Sequence, residues 1–225
     1  TEEIKGIYTV DDYKEMQPNG NYIVLNDLDL REETLMFGGP RLPFNGKINF
    51  NGKNIDFELS TEPLFHIIQE TAVLENLVLN IHLPDRDANP GNGALFVQNY
   101  GLIQNIQVNI VEAYNRSYEY IRGLGTENMG IIDGFVVNYK ETVYGPRSYS
   151  LVYRSYGTIK NGYIYGKSIQ NYIAGSSNDA FTPFVMYNNV GAMIENVYIL
   201  NSTNISTENA PSSGEANCVY SNNGT

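Results

Sequence analysis

The chain has one cysteine and two histidines among 225 residues, and each scarcity removes a class of protein. A lone Cys218 excludes an internal disulfide, and its place in an apolar column reads as a buried thiol. His66 and His82 stand in HIIQE and HLPDR, and neither has a second histidine one helical turn away. A histidine-based zinc hydrolase centre is therefore excluded from this stretch, and both are expected to be ladder or surface residues. Charge is thin, at 17% of residues, and unbalanced, with a formal net charge of −11. Nucleic acid and anionic membrane surfaces would repel such a chain. No apolar run reaches the ~18 residues of a membrane-spanning helix, and no signal-peptide pattern opens the sequence.

Glycine, tyrosine and asparagine are plentiful instead, and they recur in phase. The stretch ALFVQNYGLIQNIQVNI, from Ala94 to Ile110, is echoed by TAVLENLVL, GIIDGFVV, GTIKNGYI and GAMIENVYI. Anchors fall at Asn76, Asn105, Gly134, Asn161 and Asn196, in steps of 29, 29, 27 and 35 residues. Around each anchor an apolar residue stands two positions before and another three positions after, as in Leu74 and Leu79 or Ile103 and Val108. Six residues before each repeat glycine comes a second apolar column, Leu95, Leu124, Leu151, Val185 and Cys218. Short β-branched and aromatic runs bounded by Gly and Asn are strand signals, and a unit of this length repeated in one direction is a solenoid coil. The sequence thus predicts an all-β protein, a right-handed parallel β-helix, with coils stacked ~4.8 Å apart. The anchor asparagines are expected to form a structural ladder, each amide bonding the next at an inward or corner position, with Gly134 breaking it.

Residues 1–225 read as a single β-helix domain. The first seventeen form a cap, in which Thr9 and Asp12 signal a short capping helix over the open end. Coils fill 18–225, the first over Tyr22 to Leu30 and the next over Phe44 to Ile55 with Asn-Gly turn signals at 45–46 and 51–52, and a loop lies between them. CVYSNNGT at the end matches VMYNNVGA, so the sequence is expected to be truncated at its C-terminal end. Five longer connections, 83–92, 112–122, 140–149, 167–183 and 202–216, follow the same strand and predict a rim of loops along one edge. Asn115, Asn201 and Asn204 begin glycosylation sequons, relevant only in a eukaryotic secretory pathway.

Three sets of residues could carry chemistry. Asp85, Asp87 and Asn89 open like a calcium loop, but Pro90 and Phe96 occupy the places of its glycine and closing glutamate. Glu75, Gln104, Asp133, Lys160 and Glu195 share one register and predict an outward column. Its carboxylates two coils apart, ~9.6 Å, approach the spacing of a glycosidase acid–base pair, whereas neighbouring opposite charges are also ordinary ladder partners. Tyr153, Tyr187 and Tyr220 each precede a glycine by four residues and are the candidate binding residues, able to grip sugar rings or a protein surface, or simply to stabilise strands.

GIYTVDDYKEMQPNGNYIVLNDLDL, then FNGKINFNGKNIDF, then units such as LFVQNYGLIQNIQV, together resemble the β-helical domain upstream of the catalytic domain in the immunoglobulin A protease family of streptococcal zinc metallopeptidases. They are also similar to the glycine-rich repeat domains of Gram-positive adhesins. The first resemblance implies a non-catalytic accessory or substrate-recognition domain of a secreted, cell-wall-attached virulence protease. Its zinc would belong to a catalytic domain outside this fragment, so no cofactor and no catalytic residue is expected here. The implied partner is a host glycoprotein such as immunoglobulin A or mucin, with no nucleic acid and no membrane contact. A surface adhesin module, or a polysaccharide lyase or glycoside hydrolase of the β-helix type, are the alternatives.

Overall fold

The computed structural model describes residues 3–59, 62–82, 93–111, 123–140, 143–144, 151–166, 169–172, 185–200, 205–208, 219–222 and 224. They form a parallel β-solenoid with almost no helix. A regular coil has three strand segments. The first face stacks Phe65–Ile68, Phe96–Asn99, Gly125–Asn128, Val152–Ser155, Val185–Asn188 and Val219–Asn222 into a six-stranded parallel sheet. After a corner the chain enters Leu102–Ile110, Ile131–Tyr139, Thr158–Gly166 or Met193–Ile199. Pairing along these long strands skips Asn105, Gly134, Asn161 and Asn196, where the chain bends and turns one strand into a second and a third face.

The bend has a backbone cause. Asn76, Asn105, Asn161 and Asn196 have φ of 56°, 53°, 58° and 52°, and Gly134 has 76°. Left-handed backbone is costly for most L-residues but accessible to glycine and, with a short polar side chain, to asparagine. The anchors are structural, as expected, but they sit at an outer corner: Asn105, Asn161 and Asn196 are exposed and Asn76 half-buried. The expected amide ladder is only partly formed: Asn196 bonds Asn161, but Asn161 bonds Asp133 and Asn76 bonds Asn49 rather than another anchor, and Gly134 keeps the bend without a side chain.

Both apolar positions around the anchor face inward. Tyr22, Ile48, Leu74, Ile103, Ile132 and Ile159 stand level on the second face, and Leu28, Ile55, Leu79, Val108, Val137 and Ile164 on the third. All twelve are buried, each removal from water contributing about 1.5–3 kcal/mol for a Leu, Ile or Val side chain. Leu95, Leu124 and Leu151 line the first face as anticipated. Val185 departs from that column and stands level with Val152. The corner after Asn188 is two residues longer than the one after Ser155, and Gly191 occupies a left-handed turn at φ 84° within it. Gly130 and Gly157 meet a different need: a Cβ at either would run into the carbonyl of the glycine one coil away.

At the N-terminal end Ile4–Ile7 pairs with Asn21–Val24, and the helix Val10–Lys14 follows. Thr9 Oγ1 accepts the Asp12 N–H at 3.1 Å, and the Asp12 carboxylate accepts the Thr9 N–H at 2.9 Å, which is the expected capping box. Tyr13 and Met16 are buried against the first coil. Met36–Gly38 adds a 3-10 turn to the expected loop, and Phe37 joins Phe44 and Phe65 in an aromatic cluster with centroids 5.2–5.9 Å apart.

The rim needs one correction. Three of its connections contain strands, Val143–Tyr144, Ile169–Tyr172 and Ile205–Glu208, which pair in parallel as a small sheet of their own. Loops leaving equivalent points of successive coils start in register, so their β-branched segments can continue the stacking. The connections 83–92 and 112–122, Asp85, Asp87, Asn89, Cys218 and the three sequon asparagines lie outside the described residues.

Candidate functional site

On the first face the tyrosines are placed differently from their common distance to a glycine. Val152 pairs with Val185 and Arg154 with Tyr187, so Tyr153 falls level with Met186, and through Val185 and Val219 with Tyr220. Tyr187 instead continues the column of Gln98, Glu127 and Arg154. The physical reason is the longer corner at Gly191, which displaces that glycine from the phase of Gly157. Tyr153 and Tyr187 still touch, edge to face with centroids 5.2 Å apart, and the Arg154 guanidinium lies 5.1 Å from the Tyr153 centroid. Gln98 donates to Glu127 at 3.1 Å and Arg154 pairs with Glu127 at 3.4 Å. This patch is a cross-coil network of the kind that stabilises sheets, with two half-exposed tyrosine rings at its surface.

The second face carries the column of Glu75, Gln104, Asp133, Lys160 and Glu195 in the expected register. Gln104 donates to Glu75 at 2.7 Å, Lys160 Nζ lies 3.4 Å from Asp133, and Asn161 Nδ2 donates to Asp133 at 2.7 Å. Both oxygens of Asp133 are thus engaged by the next coil. Lys160 separates the two carboxylates that a glycosidase would need to face across open space.

The histidines are held singly. His66 Nδ1 lies 3.3 Å from the Gly38 carbonyl, and His82 Nε2 lies 2.8 Å from the Asp56 carboxylate. Among the described residues no three of His, Cys, Asp and Glu converge on a common point, so these residues do not offer a zinc donor set.

A groove of about 410 Å³ follows the left-handed corner across successive coils, from Gly52 through Asn76, Asn105 and Gly134 to Asn161. Its wall on the third face is Val78, Gln107, Val136 and Tyr163, which stand level with one another. Tyr198 continues that column on the next coil, 61% exposed, and Tyr163 is 38% exposed with its ring 5.8 Å from that of Tyr165. A second hollow of about 560 Å³ lies near the N-terminal end between Ile4, Ile23 and Val73, and it contains Lys47 and Glu75.

Comparison with protein-family models, curated proteins and solved structures returns no match.

Two features escaped the sequence reading. One is a buried polar column, Asn99, Asn128, Ser155 and Asn188, with Asn99 Nδ2 donating to Asn128 Oδ1 at 2.8 Å. Its signal was a side-chain donor two residues before the repeat glycine, in Asn-Tyr-Gly, Asn-Met-Gly and Ser-Tyr-Gly. The other is the exposed tyrosine pair of the third face, each two residues beyond its anchor, Tyr163 in the groove wall and Tyr198 on the next coil.

Proposed function

We propose that this solenoid is a non-catalytic recognition module of a larger secreted protein, displayed at the surface of a Gram-positive cell, and that it engages a host glycoprotein such as immunoglobulin A or mucin. The resemblance to the immunoglobulin A protease family suggests the setting, in which zinc and peptide cleavage would belong to a separate domain. One observation carries the binding role. Polar columns on the first and second faces bond to their own neighbours coil by coil, while Tyr100, Tyr156, Tyr163 and Tyr198 stay exposed on the outer surface. Exposed tyrosines on a rigid scaffold are suited to contact, since the ring supplies area at little conformational cost.

Calorimetric titration of the 225-residue protein with immunoglobulin A and with mucin tests this reading. Saturable binding of either is expected. Silence with both, at protein concentrations reaching ~100 µM, removes the assignment because such a site would be weaker than about −5.5 kcal/mol.

A further inference from the structure

We infer that the groove along the left-handed corner binds a neutral, unbranched oligosaccharide laid parallel to the solenoid axis, with Tyr163 as its stacking platform and the Asn105 carboxamide as its central hydrogen-bonding group. This rests on the recognition role proposed above and names the chemistry recognised.

Shape comes first. From Gly52 to Asn161 the groove crosses four inter-coil steps, roughly 19 Å at ~4.8 Å each, so its occupant is extended. Charge comes next. None of the residues lining the groove is charged, in a protein of net charge −11. The charges next to the groove, Asp133 on Asn161 and Lys160 on Asp133, already pair with each other, so an ionic ligand would have to break that pair, whereas a polyol finds amides that both donate and accept. An extended peptide would look for unpaired backbone, but the strands on either side of the bend are already paired with the coils above and below.

The ladder itself marks the centre of the site. Asn76 donates to Asn49 at 3.1 Å on one side, and Asn196 donates to Asn161 at 3.2 Å and Asn161 to Asp133 at 2.7 Å on the other. Between these two runs Gly134 has no side chain to offer, and the Asn105 carboxamide makes no hydrogen bond to any described residue. Two N–H donors and an acceptor oxygen therefore face solvent in mid-groove. Tyr163 stands beside them with its ring exposed, and the C–H face of a pyranose packs on such a ring while its hydroxyls reach the amides.

The experiment is calorimetric and NMR titration of the 225-residue protein with cellohexaose, chitohexaose and maltohexaose, with hexagalacturonate as the charged comparison, repeated on three variants. At least one neutral hexasaccharide binds, and hexagalacturonate binds more weakly. Tyr163→Ala weakens binding about tenfold, the loss of one stacked ring. Asn105→Gly keeps the backbone bend and weakens binding by a few fold. Gly134→Asn puts at this left-handed position the residue type that the neighbouring coils carry there, and its new Cβ lies 3.0 Å from Asn105 Oδ1, so the Asn105 carboxamide must shift by a few tenths of an ångström; the added side chain fills the gap and lowers affinity. The inference is overturned if no neutral hexasaccharide binds, if the charged one binds as tightly, or if folded Tyr163→Ala and Gly134→Asn bind like the parent. Retention of immunoglobulin A or mucin after their glycans are removed also sinks it, while leaving the recognition role standing. Oligosaccharide binding without binding of either glycoprotein does the reverse.

Discussion

Two columns of asparagine run along this solenoid and do opposite work. In Asn99, Asn128 and Asn188 the side chain is buried and the backbone is an ordinary strand. In Asn105, Asn161 and Asn196 the side chain is exposed and the backbone is left-handed. The residue that substitutes within each column separates them. Ser155 stands among the first set, because its hydroxyl still reaches the Gly157 carbonyl at 3.4 Å. Gly134 stands among the second, because glycine supplies the bend with no side chain at all. The first column requires a polar side chain; the second requires a φ.

Exchanging the replacements is the strongest way to break this comparison. Asn128 accepts from Asn99 and donates to the Gly130 and Thr158 carbonyls at 3.3 and 3.4 Å, all away from water. Asn128→Ala strands these groups and is expected to cost about 3 kcal/mol, the upper part of the range for an unsatisfied buried partner. Asn128→Ser is expected to lose less than half of that. Denaturant titration measures both, and equal losses would show that packing volume, rather than hydrogen bonding, is what the column supplies.

In the exposed column the order of residues changes. Asn161→Ala must place a Cβ-bearing residue without a local hydrogen-bonding side chain at φ 58°, at a cost of about 1–2 kcal/mol. Asn161→Gly removes the same ladder bonds to Asp133 and Asn196 but keeps the backbone accessible, and is expected to lose only about 0.5 kcal/mol. If the glycine variant is the less stable of the two, the ladder outweighs the bend and the contrast between the columns collapses.

This contrast explains what could be read from the residues and what could not. The apolar positions around each anchor were legible because an inward side chain must be apolar on every coil, and Leu74, Ile103, Ile132 and Ile159 repeat that requirement. The bend was half legible. Asn giving way to Gly at 134 is the mark of left-handed backbone, yet a hydrogen-bonded ladder favours asparagine equally, so residue identity by itself does not separate the two explanations. The buried column stayed hidden because Asn99 and Asn105 lie in one phrase and only one could be chosen as the anchor. The tyrosines went out of phase for a similar reason: Gly191 serves a turn while Gly157 serves close stacking, and letters alone do not distinguish the two. The groove was illegible, since it is made by the absence of a side chain at one coil between residues far apart in sequence.

A third column, on the outer side of the third face, sharpens the comparison by changing chemistry along its length. Asp29, Asp56, Asn80, Asn109 and Asn138 stand level in successive coils. At one end Asn109 donates to Asn80 at 2.8 Å and Asn138 to Asn109 at 3.4 Å. Carboxylates cannot donate to each other, so the acid end recruits cations or imidazole: Asp56 meets His82, and Asp29 takes Arg31 at 2.7 and 2.8 Å. Hydrogen bonding from the Arg31 side chain holds the Asp29 carboxyl down from 3.8 to about 2. A depressed folded value means that the stabilisation is complete above 3.8 and is lost as pH falls through about 2. With side chains 42% and 53% exposed the pair is screened, so this effect is the smallest of the three. Asp29→Asn is therefore expected to lower the unfolding temperature slightly at pH 7 and to lose most of that deficit by pH 2, where the carboxyl is about half protonated in the folded state. Asn109→Ala in the amide run has no titrating partner in its ladder, and its deficit should be the same at both pH values. Thermal unfolding of the two variants at pH 7 and pH 2 checks the pair. A deficit in Asp29→Asn that persists unchanged at pH 2 would mean that the acid end is held by shape, as the amide end is, and not by charge.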